Sequence, residues 1–320
     1  MKILFNRIIY LIVLFIGIAI INFTLFFMSP GDPTNQYFSP KVKKSNLQIL
    51  KQKMGVDLPW HKQLKNWSLH TLKGDLGYSW SKHRPVKDIL KEAIPATLQL
   101  TIFALFINLI IGSLIGIFAG INSNRLSGKF LDILTLTIYS TPVFLLALFL
   151  IYVFSQKLQI LPPSGMDSLR FGESGFWLTF FDRMRHIILP VSVLGLIGAA
   201  TTSRYVQEHI KSVIKQDYIR MAFAKGLSLK RIYFKHAFKN ALLPVATLIG
   251  IYFPFLLGSA LIVEVVFAWP GMGRVTFEAI SSKDYPVLMA VNMIAAIMVI
   301  SGNLISDMLY RFIDPRIRIQ

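Results

Sequence analysis

PATLQLTIFALFINLIIGSLIGIFAGI, residues Pro95–Ile121, contains no Asp, Glu, Lys or Arg. A helix rises 1.5 Å per residue, so about 20 such residues cross the hydrocarbon of a bilayer. The stretch therefore reads as a transmembrane helix. The same pattern recurs on either side of it, at 8–28 before and at 131–155, 187–202, 243–268 and 287–310 after. The 187–202 run is short and rich in Gly and Ala. A soluble fold would leave these runs nothing to pack against but one another. The sequence predicts an all-α membrane protein with six transmembrane helices.

Composition agrees. Of 320 residues, 54% are hydrophobic and 16% charged, against about 25% charged in a soluble domain. Net charge is +18. In a soluble chain that excess would suggest nucleic acid. In a membrane protein, Lys and Arg collect in cytoplasmic loops and near anionic headgroups, and no aromatic RNA-binding signature is present. The bilayer, not nucleic acid, is the expected partner. Cysteine is absent, which removes disulfides, thiolate nucleophiles and Cys–metal sites. The six histidines are scattered, with no two at metal-ligand spacing on one predicted helix. No metal site is predicted.

Charge placement orients the chain. Lys2 and Arg7 precede the first run, which is too long for a signal-peptide core and ends in FFMSP, not a cleavage site. Residues 1–28 are read as an uncleaved first helix with its N-terminus inside. Residues 29–93 form a polar extracellular segment with twelve Lys or Arg. Leu47–Met54 ends at Gly55, a C-cap signal. Trp60, Leu64, Trp67 and Thr71 recur at helical spacing. Residues 94–320 form the main transmembrane domain, of five helices. Within it, 203–243 is a cytoplasmic segment carrying nine basic residues in 203–242 against only Glu208 and Asp217. The loop 122–130 and the tail, with Arg311, Arg316 and Arg318, fall on the same side, as the positive-inside rule requires. Both termini are then cytoplasmic in a multi-pass membrane protein. Pro95, Pro142, Pro190, Pro244 and Pro254 sit in or beside the spans and suit a bundle that rearranges.

Residues 216–244, QDYIRMAFAKGLSLKRIYFKHAFKNALLP, lie between the fourth and fifth spans. They read as a short helix, a break at Gly226, and a second helix capped by Ser228. Arg231, Lys235 and Lys239 form a basic stripe beside Phe234, Phe238 and Leu242. Physically this is an amphipathic hairpin on the cytoplasmic face. It fits either an interfacial helix on anionic lipid or a docking element for a protein.

DYIRMAFAKGLS followed by HAFKNALLP resembles the cytoplasmic coupling motif of ABC importer permeases, in the longer form of the dipeptide, oligopeptide and nickel permease family. Similarity to that family extends over nearly the whole chain. It includes Gly31-Asp32-Pro33, Gly74-Asp75-Leu76-Gly77-Tyr78-Ser79, Arg84-Pro85-Val86 and Ile94-Pro95-Ala96-Thr97-Leu98. Later come Leu161-Pro162-Pro163-Ser164-Gly165, Val263-Glu264-Val265-Val266-Phe267, Pro270-Gly271-Met272-Gly273-Arg274, Asp284-Tyr285-Pro286 and Asp314-Pro315-Arg316-Ile317-Arg318. The resemblance implies that the helix before the glycine docks on a cytoplasmic ATPase. Asp217, Tyr218, Arg220, Ala222, Ala224, Lys225, Gly226 and Leu227 are the residues matching that coupling segment. Arg220-Met221-Ala222 stand where the general motif begins Glu-Ala-Ala, and the arginine fits the peptide subgroup.

The chain has no G-x-x-x-x-G-K-[ST] loop. The resemblance implies an importer permease of the bacterial cell membrane that is not itself catalytic. ATP and Mg would be bound by two cytoplasmic ABC ATPases, and no cofactor by this subunit. A second homologous permease and an extracellular substrate-binding protein complete the expected complex. The cargo would be peptides, or nickel or another metal chelate, moved by alternating access. Glu264 lies near the outer end of its run, and such an acid is a functional candidate. It could face a cationic group of the substrate or tie down the Trp269–Gly273 turn, and the resemblance at Val263–Phe267 implies a place for it, with Pro270 and Gly271, at an outer gate or pathway. Asn108, Asn292 and Asn303 are placed to bond across helices. A membrane enzyme would need an H-E-x-x-H helix, a G-x-S-x-G elbow or a paired-aspartate motif, and none is present. An ion-coupled secondary transporter acting alone would need more intramembrane acids and often a repeat. It is the remaining alternative.

Overall fold

The computed structural model describes residues 2–28, 58–168, 175–227 and 260–313. Its helices are α1 Lys2–Phe27, α2 Trp60–Leu72, α3 Val86–Ile121, α4 Leu126–Ser140, α5 Val143–Leu150, α6 Phe176–Ile214, α7 Asp217–Ala224, α8 Met272–Ser281 and α9 Tyr285–Ile313. α5 runs on as a π-helical stretch through Ile151–Lys157, and residues 260–266 are also helical. No strand occurs among the described residues, whose sole bridge pairs Tyr78 with Pro85.

Among the described residues, four helices are long and apolar enough to cross a membrane: Ile9–Phe27, Val86–Ile121, Phe176–Ile214 and Tyr285–Leu304. Leu126–Ser140 and Val143–Lys157 make a fifth if counted together, but they meet at a 106° bend. This corrects the continuous helix expected over 131–155. Thr141 precedes Pro142 and is driven to extended backbone (φ −79, ψ 126), because the proline ring disfavours the helical region for its predecessor. Pro95 and Pro190, by contrast, lie inside continuous helices. The short 187–202 run sits within the 39-residue α6, whose apolar window is 72% buried. Its Gly and Ala content reflects close helix contact rather than a weak span. Most of the 243–268 run, Leu47–Gly55, and the hairpin arm from Ser228 onward lie outside the described residues.

The chain divides into two compact units, one of Met1–Pro95 with Arg274–Ile300, the other of Ala96–Gly273 with Ser301–Gln320. In the first, the buried Phe23 of α1 packs on Trp60 and Trp67, with ring centroids 6.5 and 5.6 Å away. The tryptophans of α2 therefore cover α1 around Phe23, near its C-terminal end. Asn292 donates to Asn22 Oδ1 at 2.9 Å, a polar tie between two otherwise apolar helices. The GDLGYS stretch turns at Gly74 and Gly77, with φ of +80 and +83, conformations that glycine adopts without steric cost. Its end is held by Asp284, which accepts from Ser79 Oγ (2.6 Å), Ser81 N (3.0 Å) and Ser81 Oγ (2.7 Å). Ser79 and Asp284 expose no surface. Two distant sequence motifs, 74–79 and 284–286, thus form one clasp.

In the second unit α3 and α6 pack through a glycine seam. A Cβ on Gly112 would lie 2.8 Å from Thr202 Cβ, one on Gly116 2.8 Å from Val206 Cβ, and one on Gly120 2.8 Å from Ile210 Cβ. Positions rise together on both helices, so the two run parallel. Spacing of four puts all three glycines on one face. Small residues let helix backbones approach in this way where lipid supplies no hydrophobic drive. Asn108 accepts from Thr202 Oγ1 at 2.6 Å within the same interface. Asn303 is exposed.

Candidate functional site

α7 follows α6 after only Lys215 and Gln216. Ile219 (0% exposed) and Ala222 (7%) face inward and join Ile117, Val206 and Ile210 in a buried cluster, with Leu227 packed against it. The opposite face is open: Asp217, Tyr218, Met221, Ala224 and Lys225 are exposed. Asp217 sits in the first turn, where a negative charge complements the helix dipole. An eight-residue helix is too short to be stable alone. Its inward residues fasten it to both α3 and α6. Of the expected coupling set, Ala222 and Leu227 belong to this attachment, and Asp217, Tyr218, Ala224 and Lys225 to the outer face. Arg220 lies on α7, and its side chain is outside the described ones.

Gly226 ends the helix with φ +71, and a Cβ added to it would meet no atom within 4 Å. The need for glycine is therefore conformational, and not the avoidance of a clash: an L-residue with a Cβ is disfavoured by about 1–2 kcal/mol in this region.

The second candidate cluster surrounds Glu264, which is 0% exposed. Thr97 Oγ1 donates to Glu264 Oε1 at 2.6 Å and accepts from Met272 N at 2.7 Å. Trp269 Nε1 donates to Ala96 O at 3.0 Å, and Trp269 N to Glu264 O at 2.8 Å. Gly271 packs on the carboxylate so closely that a Cβ there would overlap all three carboxyl atoms. A Cβ on Gly273, in the first turn of α8, would lie 3.0 Å from Glu264 Oε2. In this arrangement Glu264 binds the start of the apolar α3 stretch to the 267–273 turn. Of the three residues assigned to the gate, Pro270 alone is exposed, while Glu264 and Gly271 are buried. Nothing in the sequence pairs Thr97 with Glu264, because a threonine 167 residues away carries no periodic signal. No group of His, Cys, Asp or Glu suited to a metal ion occurs among the described residues.

Residues 112–319 match the family described as binding-protein-dependent transport system inner membrane component, and residues 1–101 match its N-terminal companion. The chain belongs to this family of permeases. The permease is 35% identical over 306 residues to the oligopeptide transport system permease protein AppB of Bacillus subtilis, covering 94% of each chain. It is 34% identical to the glutathione transport system permease protein GsiC of Salmonella typhimurium, covering 98% of this chain and 97% of that one. Identity to the dipeptide transport system permease protein DppB of Alkalihalophilus pseudofirmus is 33%, covering 98% of each. In fold it is similar to a chain of the MetNI methionine ABC transporter in an inward-facing crystal structure, with a TM-score of 0.57 at 17% identity, over 71% of this chain and 96% of that one. The permease is thus a multi-pass, inner-membrane transport component, not a catalytic subunit. Membership implies a binding protein and an ATPase as partners. It does not favour the ion-coupled transporter acting alone.

Proposed function

We propose that the permease carries peptides across the membrane by alternating access, receiving them from a substrate-binding protein and driven by ATPases docked on α7. The observation that carries this reading is the two-sided character of α7. One face is buried against α3 and α6 through Ile117, Val206, Ile210, Ile219 and Ala222. The other presents Asp217, Tyr218, Met221, Ala224 and Lys225. A push on the open face is passed to two spans at once, and a helix held this way suits a two-state change biased by nucleotide. The names of three relatives concern oligopeptides, glutathione and dipeptides, which favours peptide cargo over a nickel or other metal chelate.

In this reading the chain crosses the membrane six times, with both termini cytoplasmic and 29–93 outside. It pairs with a second homologous permease and two ATPases, which bind ATP and Mg, while this subunit holds no cofactor. The Glu264 cluster with Pro270 and Gly271 forms part of the outer gate. The test is Gly226→Trp in the complete reconstituted transporter. Open space surrounds Gly226, so assembly should persist, while the angle of α7 changes and ATP hydrolysis no longer drives uptake. Wild-type uptake per ATP hydrolysed would overturn the coupling role.

A further inference from the structure

The N-terminal end of α6 exposes a group of aromatic side chains: Phe176 (75%), Trp177 (69%), Phe180 (41%) and Phe181 (61%). They touch one another in a chain of ring contacts, with centroids 5.5–6.4 Å apart. At 100° per residue, these four and Leu178 spread over about 200° of the helix circumference. Burial returns one step later, at Asp182 and His186.

The platform is held firmly. Asp182 accepts from Ser168 N (2.6 Å) and Ser168 Oγ (2.8 Å). Arg183 grips Asp167 through Nε at 2.6 Å and a second nitrogen at 3.0 Å. Arg185 donates to Ile160 O at 2.9 Å. Gly165 N donates to Phe267 O at 2.8 Å, tying the same loop to the rest of the unit. Aromatic rings on a pre-organised support are the residues that dominate protein interfaces.

Height decides against lipid as the occupant. Asp182, Arg183, Arg185 and His186 separate the rings from the apolar run that starts at 187. At 1.5 Å per residue the rings lie about 9–16 Å beyond the start of that run. The headgroup layer is only about 5–8 Å deep on each side. With residue 187 taken as the edge of the hydrocarbon, the rings stand at or past the outer edge of the headgroups. They also stand at the far end of the 39-residue α6 from α7. That helix is about 58 Å long. If α7 faces the ATPases, the rings face the compartment from which cargo is delivered. On the same helix end and the loops that hold it lie the exposed Lys157 and Arg185, while Arg183 is paired with Asp167.

We propose that Phe176, Trp177, Phe180 and Phe181 are a docking platform for the substrate-binding protein, which meets them with an apolar surface rimmed by carboxylates. This rests on α7 marking the ATPase side.

The experiment uses the complete transporter in nanodiscs with the purified substrate-binding protein of the same system. Trp177→Ser with Phe181→Ser is expected to weaken docking roughly tenfold or more, as loss of two interface aromatics does. Basal ATP hydrolysis without binding protein should be unchanged. Trp177→Phe, which keeps an aromatic ring, should dock nearly as the parent, and raised salt should weaken docking of the parent. Unchanged docking by the double variant overturns the proposal. So does strong quenching of Trp177 by brominated lipid, measured as the difference between parent and Trp177→Phe, because it would place the ring in the bilayer. Failure of ATPases to assemble with the parent chain would instead strike the α7 reading, so the two failures are distinguishable.

Discussion

Gly271→Ala isolates what the Glu264 cluster contributes. The added methyl would occupy the space of the carboxyl carbon and both its oxygens. Glu264 is fully buried, with Thr97 donating to it at 2.6 Å, so the side chain cannot swing into solvent. Leaving a buried polar group without its hydrogen bond costs about 1–3 kcal/mol. Overpacking a filled core adds about 1–3 kcal/mol. Gly271→Ala should therefore destabilise the permease by about 3–5 kcal/mol. In a Glu264→Ala background the carboxylate is gone and the methyl enters vacated space, at a cost of under about 1 kcal/mol. The double variant should then be more stable than the sum of the single effects by about 2–5 kcal/mol, a coupling expected only for groups in contact. The assay is reversible unfolding of the four forms in mixed micelles, followed by helix content. Additivity within about 0.5 kcal/mol would refute the contact and the anchoring role drawn from it.

The α3–α6 seam predicts that Gly116→Leu forces the helices apart, since even a Cβ would lie 2.8 Å from Val206 Cβ and 3.1 Å from Ser203 Cα. An engineered cysteine pair across the seam should lose its cross-linking, and the thermal midpoint should fall, whereas Gly17→Leu, in open space on α1, should change neither. The Glu278 cluster predicts acid sensitivity. Burial by itself would raise the carboxyl pKa, but hydrogen bonds and charge from Lys82 and then Arg274 more than reverse that and hold it below the ordinary value. A depressed carboxylate contributes stability that is whole above the unfolded-chain pKa and is lost as pH falls through the folded one. Amide exchange in the 79–84 loop should rise below the ordinary value of 4.5, and Glu278→Gln should abolish that acid-dependent step.

Membrane residence, helical class and the principal spans were legible in the sequence because the hydrocarbon acts on each span separately. A run such as Pro95–Ile121 must form its own backbone hydrogen bonds whatever its neighbours do. The break before Gly226 was legible for the same local reason, since a residue at φ +71 favours glycine. The glycine seam was partly legible: Gly112, Gly116 and Gly120 recur every four residues, yet the spacing names no partner. Only the tertiary structure supplied Thr202, Val206 and Ile210 opposite them.

Other features depended wholly on distant chain segments meeting. Pro142 and Pro190 are the same residue in similarly apolar surroundings, but one marks a 106° bend and the other lies inside a continuous helix. A continuous helix must make good the missing N–H through packing, and packing is not written in local sequence. Glu264 was recognisable as an unusual acid in an apolar run. Its enclosure by Thr97 and Gly271 was decided by the fold. The sequence by itself determined which segments leave water and where charge must stay outside, because those follow from each residue's own transfer energy. The tertiary structure alone decided which polar groups become partners, because a hydrogen bond or a close glycine contact needs two positions that the chain brings together only on folding.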